Sequence, residues 1–194
     1  MKNILVIGGS GFLGAALISG LKKSGFDQVR CFDLNPCPDS DVESIIGDLC
    51  NPEQVLQACA GVDTVFQTAA LVDWGSRSRE RLMAVNVRGN RNVIEACHKQ
   101  GVTRLIYTSS VDVVFDGTPI SNGDEQQPYP KQHLDDYSHT KALAEQDILH
   151  ANQPRGLQTC ALRAAGIYGP GDRHRFPSIL KAARQGKMIY LGDG

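Results

Sequence analysis

The chain opens on a short run of branched apolar residues, Ile4 to Ile7, that ends in Gly8-Gly9-Ser10-Gly11-Phe12-Leu13-Gly14. Few features constrain a fold as tightly. The glycines at 8, 11 and 14 stand between a strand pattern and a helical one, since Leu13, Leu17 and Leu21 recur four apart. Such a turn asks three things of its glycines: a tight reversal, room for the backbone to approach a pyrophosphate, and close helix–strand packing. The helix that follows offers unpaired amides and the positive end of its dipole to phosphate, with Phe12 and Leu13 in its first turn. A lone glycine motif is weak; a strand before it and a helix after it make this one a dinucleotide-site candidate.

The same alternation continues along the chain. Apolar runs at Val29–Phe32, Val42–Ile46, Val62–Phe66, Thr103–Tyr107, Thr159–Leu162 and Met188–Leu191 read as strands covered on both faces. Asn51-Pro52 is a helix cap with a first-turn proline. The stripe Leu82, Val85, Gly89, Val93 and Ala96 predicts a long helix from Ser76 to Gln100, and a second is expected over Asp135 to Ala151. Strand–helix alternation implies right-handed crossovers and a doubly wound parallel sheet, the α/β Rossmann class. At 194 residues and 41% hydrophobic, one cofactor-binding domain spanning 1–194 is expected. The long irregular stretch from Asp116 to Gln132 is expected to be functional or mobile.

Charge and cysteine usage narrow the class further. A formal net charge of −1 argues against nucleic acid as a partner, and no apolar run approaches the length of about 20 residues that a membrane span needs. The six cysteines are scattered without a Cys-x-x-Cys pair. Cys97 and Cys160 lie in apolar segments, which suggests reduced core thiols and a cytoplasmic compartment. The five histidines share no metal-ligand spacing, so no metal site is expected.

Two acids extend the cofactor reading. Asp33 closes the second strand about 20 residues past Gly11, where a carboxylate accepts bonds from ribose hydroxyls and repels a 2′-phosphate; NAD is favoured over NADP. Its plainer reading is a turn residue before Asn35-Pro36. Asp48, after the third strand, is placed for an adenine amino group, or is an ordinary loop aspartate. Tyr137 and Lys141 lie four apart, on one helical face, where the ammonium is expected to lower the phenol's pKa. Ser109 and Ser110 end a strand at the crevice where such folds bind ligands. Trp74 either lines the substrate mouth or packs; Arg77, Arg79 and Arg81, like Arg173, His174 and Arg175, read first as solvated charge.

These features occur in one order, together with Thr68-Ala69-Ala70, Phe115-Asp116-Gly117-Thr118-Pro119-Ile120 and Leu162-Arg163-Ala164-Ala165-Gly166-Ile167-Tyr168-Gly169-Pro170-Gly171. In this the chain resembles the extended short-chain dehydrogenases/reductases over essentially its whole length. Within them it is similar to the 3β-hydroxysteroid and sterol-4-carboxylate dehydrogenase branch. The resemblance implies NAD-dependent oxidation of a hydrophobic secondary alcohol, a small-molecule substrate, with Tyr137 as general acid/base, Lys141 as its partner and Ser110 as the substrate-orienting hydroxyl. It further implies cofactor contacts from Leu49 beside Asp48, from Thr68, Ala69, Ala70 and Leu71, from Asn86 (otherwise a helix-locking core amide) and from Ala165. A homodimer through the two long helices is expected by analogy, as is a longer protein whose remaining, substrate-closing part is mostly absent here. Ala164 stands where relatives commonly carry proline. The competing readings are a nucleotide-sugar epimerase or reductase and a non-catalytic dinucleotide-binding regulator.

Overall fold

The computed structural model describes residues 3–72, 78–153, 156–172 and 175–187. Within them lie six parallel strands: β1 (Ile4–Ile7), β2 (Val29–Asp33), β3 (Glu43–Ile46), β4 (Thr64–Gln67), β5 (Arg104–Ser110) and β6 (Gln158–Ala164). Their order is β3-β2-β1-β4-β5-β6, so the chain winds outward one way from β1 and then the other. The crevice at that reversal, beyond the carboxyl ends of β1 and β4, is where doubly wound sheets receive ligands. The strand expected at Met188–Leu191 lies outside the described residues, as do Trp74, Arg77, Arg173 and His174.

Every residue of β1 is buried, because both faces of the strand are covered. Ile4 and Val6 pack with Ile18 of α1 (Phe12–Lys23), Val29 and Cys31 on one side. Leu5 and Ile7 join the larger core on the other, with Val55 of α2 (Pro52–Ala58), Val93 of α4 (Gly89–Gln100) and Ile148 of α5 (Asp136–His150). The period-2 alternation of strands sorts these side chains between the two layers. Asn51 caps α2 by accepting from the amides of Glu53 and Gln54, as its place before Pro52 predicts.

The long helix expected from Ser76 to Gln100 is not one regular spiral. A short α3 (Arg79–Leu82) gives way to a π-helical stretch over Met83–Arg88 before α4 begins. There the Gly89 amide donates to the Ala84 carbonyl, five residues back instead of four. The apolar stripe predicted the helix correctly but carries no sign of the extra residue. Cys160 is a second departure: it is exposed on β6, whereas Cys97 is buried. On β6 the residues Gln158, Cys160 and Leu162 alternate onto an uncovered face, and Leu162 is 58% exposed. The last described helix is α6 (Arg175–Arg184). No helix among the described residues is long and apolar enough to cross a membrane.

Candidate active site

The glycine turn joins β1 to α1 as the spacing demands. Gly8 has φ 83° and lies so close to the β4 exit that a Cβ there would stand 2.6 Å from the Ala69 nitrogen. At Gly14 a Cβ would run into the Gly8 carbonyl, so this glycine permits α1 to sit on the turn. Gly11 differs: it is exposed, and a Cβ on it would meet only the Gly8 oxygen, at 3.1 Å. Gly11 is also the N-cap of α1 and supplies no side-chain bond. The opening amides of the helix, at Phe12, Leu13 and Gly14, precede the first intrahelical donor, Ala15, and are unpaired by carbonyls of the helix. Nothing acidic stands in that first turn. A narrow backbone cradle with free amides and no negative charge fits a pyrophosphate.

Asp33 stands at the rim of the same cradle. Its carboxylate accepts from the Ser10 amide at 3.1 Å and from the Asn35 amide at 3.1 Å. Those bonds point the side chain across the turn and leave lone pairs for a ribose diol. Ser10, which sequence reasoning passed over, donates its hydroxyl to the carbonyls of Asn35 and Pro36 and so fastens the loop after β2 to the glycine turn. Asp48 is exposed beyond β3, its carboxylate accepting from the Cys50 amide at 2.8 Å. The side chain of Leu49 is buried against Gly89, and its carbonyl accepts from the Asn92 side-chain amide at 3.0 Å.

Thr68 to Leu71 leave β4 alongside Gly8. The Thr68 hydroxyl is spent on the Ile7 carbonyl at 2.8 Å. Asn86, in the π-helical stretch, is fully buried. Its oxygen accepts from the Leu71 amide (2.8 Å) and its nitrogen donates to the Leu71 carbonyl (3.0 Å) and to the Thr140 hydroxyl (3.2 Å). Its amide is thus fully engaged in holding the segment after β4 against α5. Ala165 is exposed one residue beyond the β5–β6 pair Ser110–Ala164.

The opposite wall is built by β5 and α5. Asp135 caps α5 by accepting from the Ser138 amide at 2.7 Å, which sets Tyr137 in the first turn. Its phenol lies against the Ser110 hydroxyl at the end of β5, and Ser110 favours its ionised form. Lys141 is buried beneath, donating to the Thr108 carbonyl at 2.6 Å with its nitrogen 4.2 Å from the centre of the Tyr107 ring. Sequence reasoning expected the lysine to lower the phenol's pKa. Instead burial, with Asp112 and Asp135 adding to it, pushes Tyr137 up to about 12. The lysine points to backbone in this arrangement, and burial brings it down to about 7 against the pull of Glu145. Asp112 is a site residue that the motifs did not reveal. Its carboxylate accepts from the Ser110 hydroxyl at 2.8 Å, and it lies in the short 3-10 turn Val111–Val114.

Together the fold and this constellation define a short-chain dehydrogenase/reductase domain of the extended type. Solved structures bear this out. MoeE5 in complex with UDP-glucuronic acid and NAD superposes with a TM-score of 0.83 at 31% identity, over 100% of this chain and 65% of that one. A short-chain dehydrogenase/reductase superfamily protein from Agrobacterium tumefaciens with bound NAD gives 0.75 at 31%, over 84% of this chain and 48% of that one. The family model described as the 3-beta hydroxysteroid dehydrogenase/isomerase family matches residues 5–194, and the chain belongs to that family. Among its relatives are the mouse (Mus musculus) sterol-4-alpha-carboxylate 3-dehydrogenase, decarboxylating, 42% identical over 100% of this chain and 54% of the relative. The 3-beta-hydroxysteroid dehydrogenase of Mycolicibacterium neoaurum is 40% identical over 98% of this chain and 54% of its own length. The 2-alkyl-3-oxoalkanoate reductase of Stenotrophomonas maltophilia is 43% identical over 98% and 58%. The chain therefore spans a little over half the length of these relatives.

Proposed function

We propose that the chain is the dinucleotide-binding part of a longer NAD-dependent oxidoreductase that acts on a hydrophobic secondary alcohol or ketone, of which a 3β-hydroxysteroid is the model. The observation that carries this reading is that Ser110, at the end of β5, is near enough to act on the Tyr137 phenol, on a helix that also buries Lys141, at the strand ends that also carry the glycine cradle. Gly8, Gly11 and Gly14 would admit the pyrophosphate, and Asp33 would take the adenosine ribose, excluding a 2′-phosphate by charge. NAD supplies the hydride acceptor. The chain's own residues handle the proton. Tyr137 removes it from the substrate hydroxyl as the carbon–hydrogen bond breaks, and Lys141, as an ammonium ion, stabilises the charge the phenol carries. Ser110 fixes the substrate oxygen beside Tyr137, its own hydroxyl held by Asp112. In the ketone direction the same phenol returns the proton.

Three relatives whose names state dehydrogenase or reductase chemistry support the substrate class, this chain matching a little over half of each. The same reading makes α4 and α5 the surfaces on which two copies would pair and puts the protein in the cytoplasm. The test is calorimetric titration with NAD and NADP, followed by reduced-nicotinamide fluorescence on a panel of 3β-hydroxysteroids, both with the full-length protein. NAD is expected to bind and NADP to bind at least tenfold more weakly, with turnover lost in Tyr137→Phe. Turnover that survives that substitution refutes the mechanism. Tight NAD binding without turnover on any alcohol or ketone favours the regulator instead.

A further inference from the structure

Behind Lys141 lies a second group of buried polar side chains that the reaction above does not use. Glu145 is one helical turn further along α5 and 1% exposed. One of its oxygens is crowded: it accepts from the Tyr129 hydroxyl at 2.8 Å, from Arg163 Nε at 3.0 Å and from Arg163 Nη2 at 2.9 Å. Its other oxygen is buried without a partner, and so is the hydroxyl of Tyr107, whose ring carries the Lys141 ammonium. A buried carboxylate with an idle oxygen is costly, and buried polar groups are nearly always paired. Its retention one turn from the only buried lysine among the described residues calls for a role.

We infer that Glu145 is the counter-charge that favours the ammonium form of Lys141 in its buried position, and that Arg163 and Tyr129 hold Glu145 there. Glu145 is thus a positioning residue, acting on Tyr137 only through the lysine. The direction is consistent: burial lowers Lys141, and Glu145 is the group that opposes it. Other charged groups around α5 are engaged elsewhere. Asp112 holds Ser110, Asp136 faces Arg79, and Asp147 pairs with Arg91 on the outer surface. From β5 the lysine meets only the Thr108 carbonyl and the Tyr107 ring; from β6 the facing charge is Arg163. Asn86, from the π-helical stretch, is neutral and fully bonded. The assembly has a further reach. Arg163 Nη1 also donates to the Glu125 carbonyl at 3.4 Å, so Glu125 and Tyr129 moor the irregular 116–132 segment to the carboxylate that serves the lysine.

This inference rests on Lys141 being the partner of Tyr137, but its test needs neither cofactor nor substrate. The chain, labelled with ¹³C-lysine, is titrated by NMR, with the Lys141 resonance assigned by its loss in Lys141→Met. In Glu145→Gln the Lys141 midpoint is expected to fall by about one pH unit or more, a tenfold fall in the ratio of ammonium to amine at fixed pH. Asp147→Asn removes an outward carboxylate from the same helix and is expected to leave it in place. Should Glu145→Gln not fold, the double variant Glu145→Leu/Arg163→Met removes the pair without stranding a charge and is expected to show a fall in the same direction but smaller, because the more distant Arg163 cation that opposes the ammonium goes with it. A folded variant lacking the carboxylate whose Lys141 midpoint matches the wild type overturns the inference, as does an equal shift in Asp147→Asn. A purely structural Glu145 would alter the melting temperature and leave the midpoint alone.

Discussion

Gly14→Ala and Gly11→Ala are the same chemical change three residues apart, and the structure separates their consequences. At Gly14 the new methyl meets backbone: the carbonyl carbon of Gly8 and the Cα of Gly9 are each 2.7 Å from it. Neither can swing aside as a side chain would, so α1 must lift from β1 or the turn must open. Lifting α1 disturbs Ile18 against Ile4, Val6 and Cys31. Overpacking of this kind costs about 2–3 kcal/mol. In a domain of this size that lowers the melting temperature by about 5–10 °C. At Gly11 the backbone, at φ −75° and ψ 172°, suits any residue, and the methyl meets one oxygen at 3.1 Å. Stability should therefore change by no more than about 0.5 kcal/mol. The methyl instead occupies the space a pyrophosphate would enter, and NAD affinity should fall at least tenfold, about 1.4 kcal/mol. Thermal melts and calorimetric NAD titrations of both variants decide the matter. A Gly14→Ala chain that melts with the wild type, or a Gly11→Ala chain that binds NAD undiminished, refutes this account of the turn.

Two further outcomes follow from buried groups. Asn86→Ala strands the Leu71 amide and carbonyl, and urea denaturation should show a loss of about 2–3 kcal/mol. Lys141, depressed to about 7 in the folded chain, binds fewer protons there than in the unfolded chain from about pH 7 upward. Folding stability from this group therefore rises with pH between about 7 and the ordinary lysine value of 10.5, by up to about 1.4 kcal/mol per unit. Tyr137 opposes it only above its ordinary value of 10, where the unfolded chain loses a phenol proton that the folded chain keeps. Denaturation at about pH 7.5 and about pH 9.5 should show the wild type gaining on Lys141→Met, and parallel behaviour would sink the argument.

What the sequence makes legible is whatever depends on spacing along the chain. The strand, glycine turn and helix are contiguous, so Gly8, Gly11 and Gly14 announce their work; Asp33 ends a strand whose partner, β1, is read from the same pattern. Tyr137 and Lys141 share a helix face by arithmetic alone. What depends on depth is not legible. That burial raises the Tyr137 phenol, and that the Lys141 ammonium turns to the Thr108 carbonyl, follows from packing of β5 on α5, which no spacing encodes. Glu145, Arg163 and Tyr129 come from a helix, a strand and a loop, and only folding brings them within hydrogen-bond reach. Glu145 did carry one unused signal, a carboxylate four residues past Lys141 in a helix otherwise turned inward there. Cys160 misled because an apolar run does not state which of its alternate residues will be covered.

The π-helical stretch at Met83–Arg88 holds one residue more than a regular spiral of its length would. Each residue of an α-helix advances the azimuth by about 100°. Excising a single residue between 83 and 85 would not impose that rotation on the flanking segments, because the spiral could close up into a regular one with α3 and α4 kept in their seats; Asn86, inside the stretch, would be turned instead and its grip on Leu71 released. Length itself is therefore a positioning element in this segment: a one-codon deletion that would rotate one end of a regular helix against the other would here register as a re-aimed Asn86 and a loosened segment after β4.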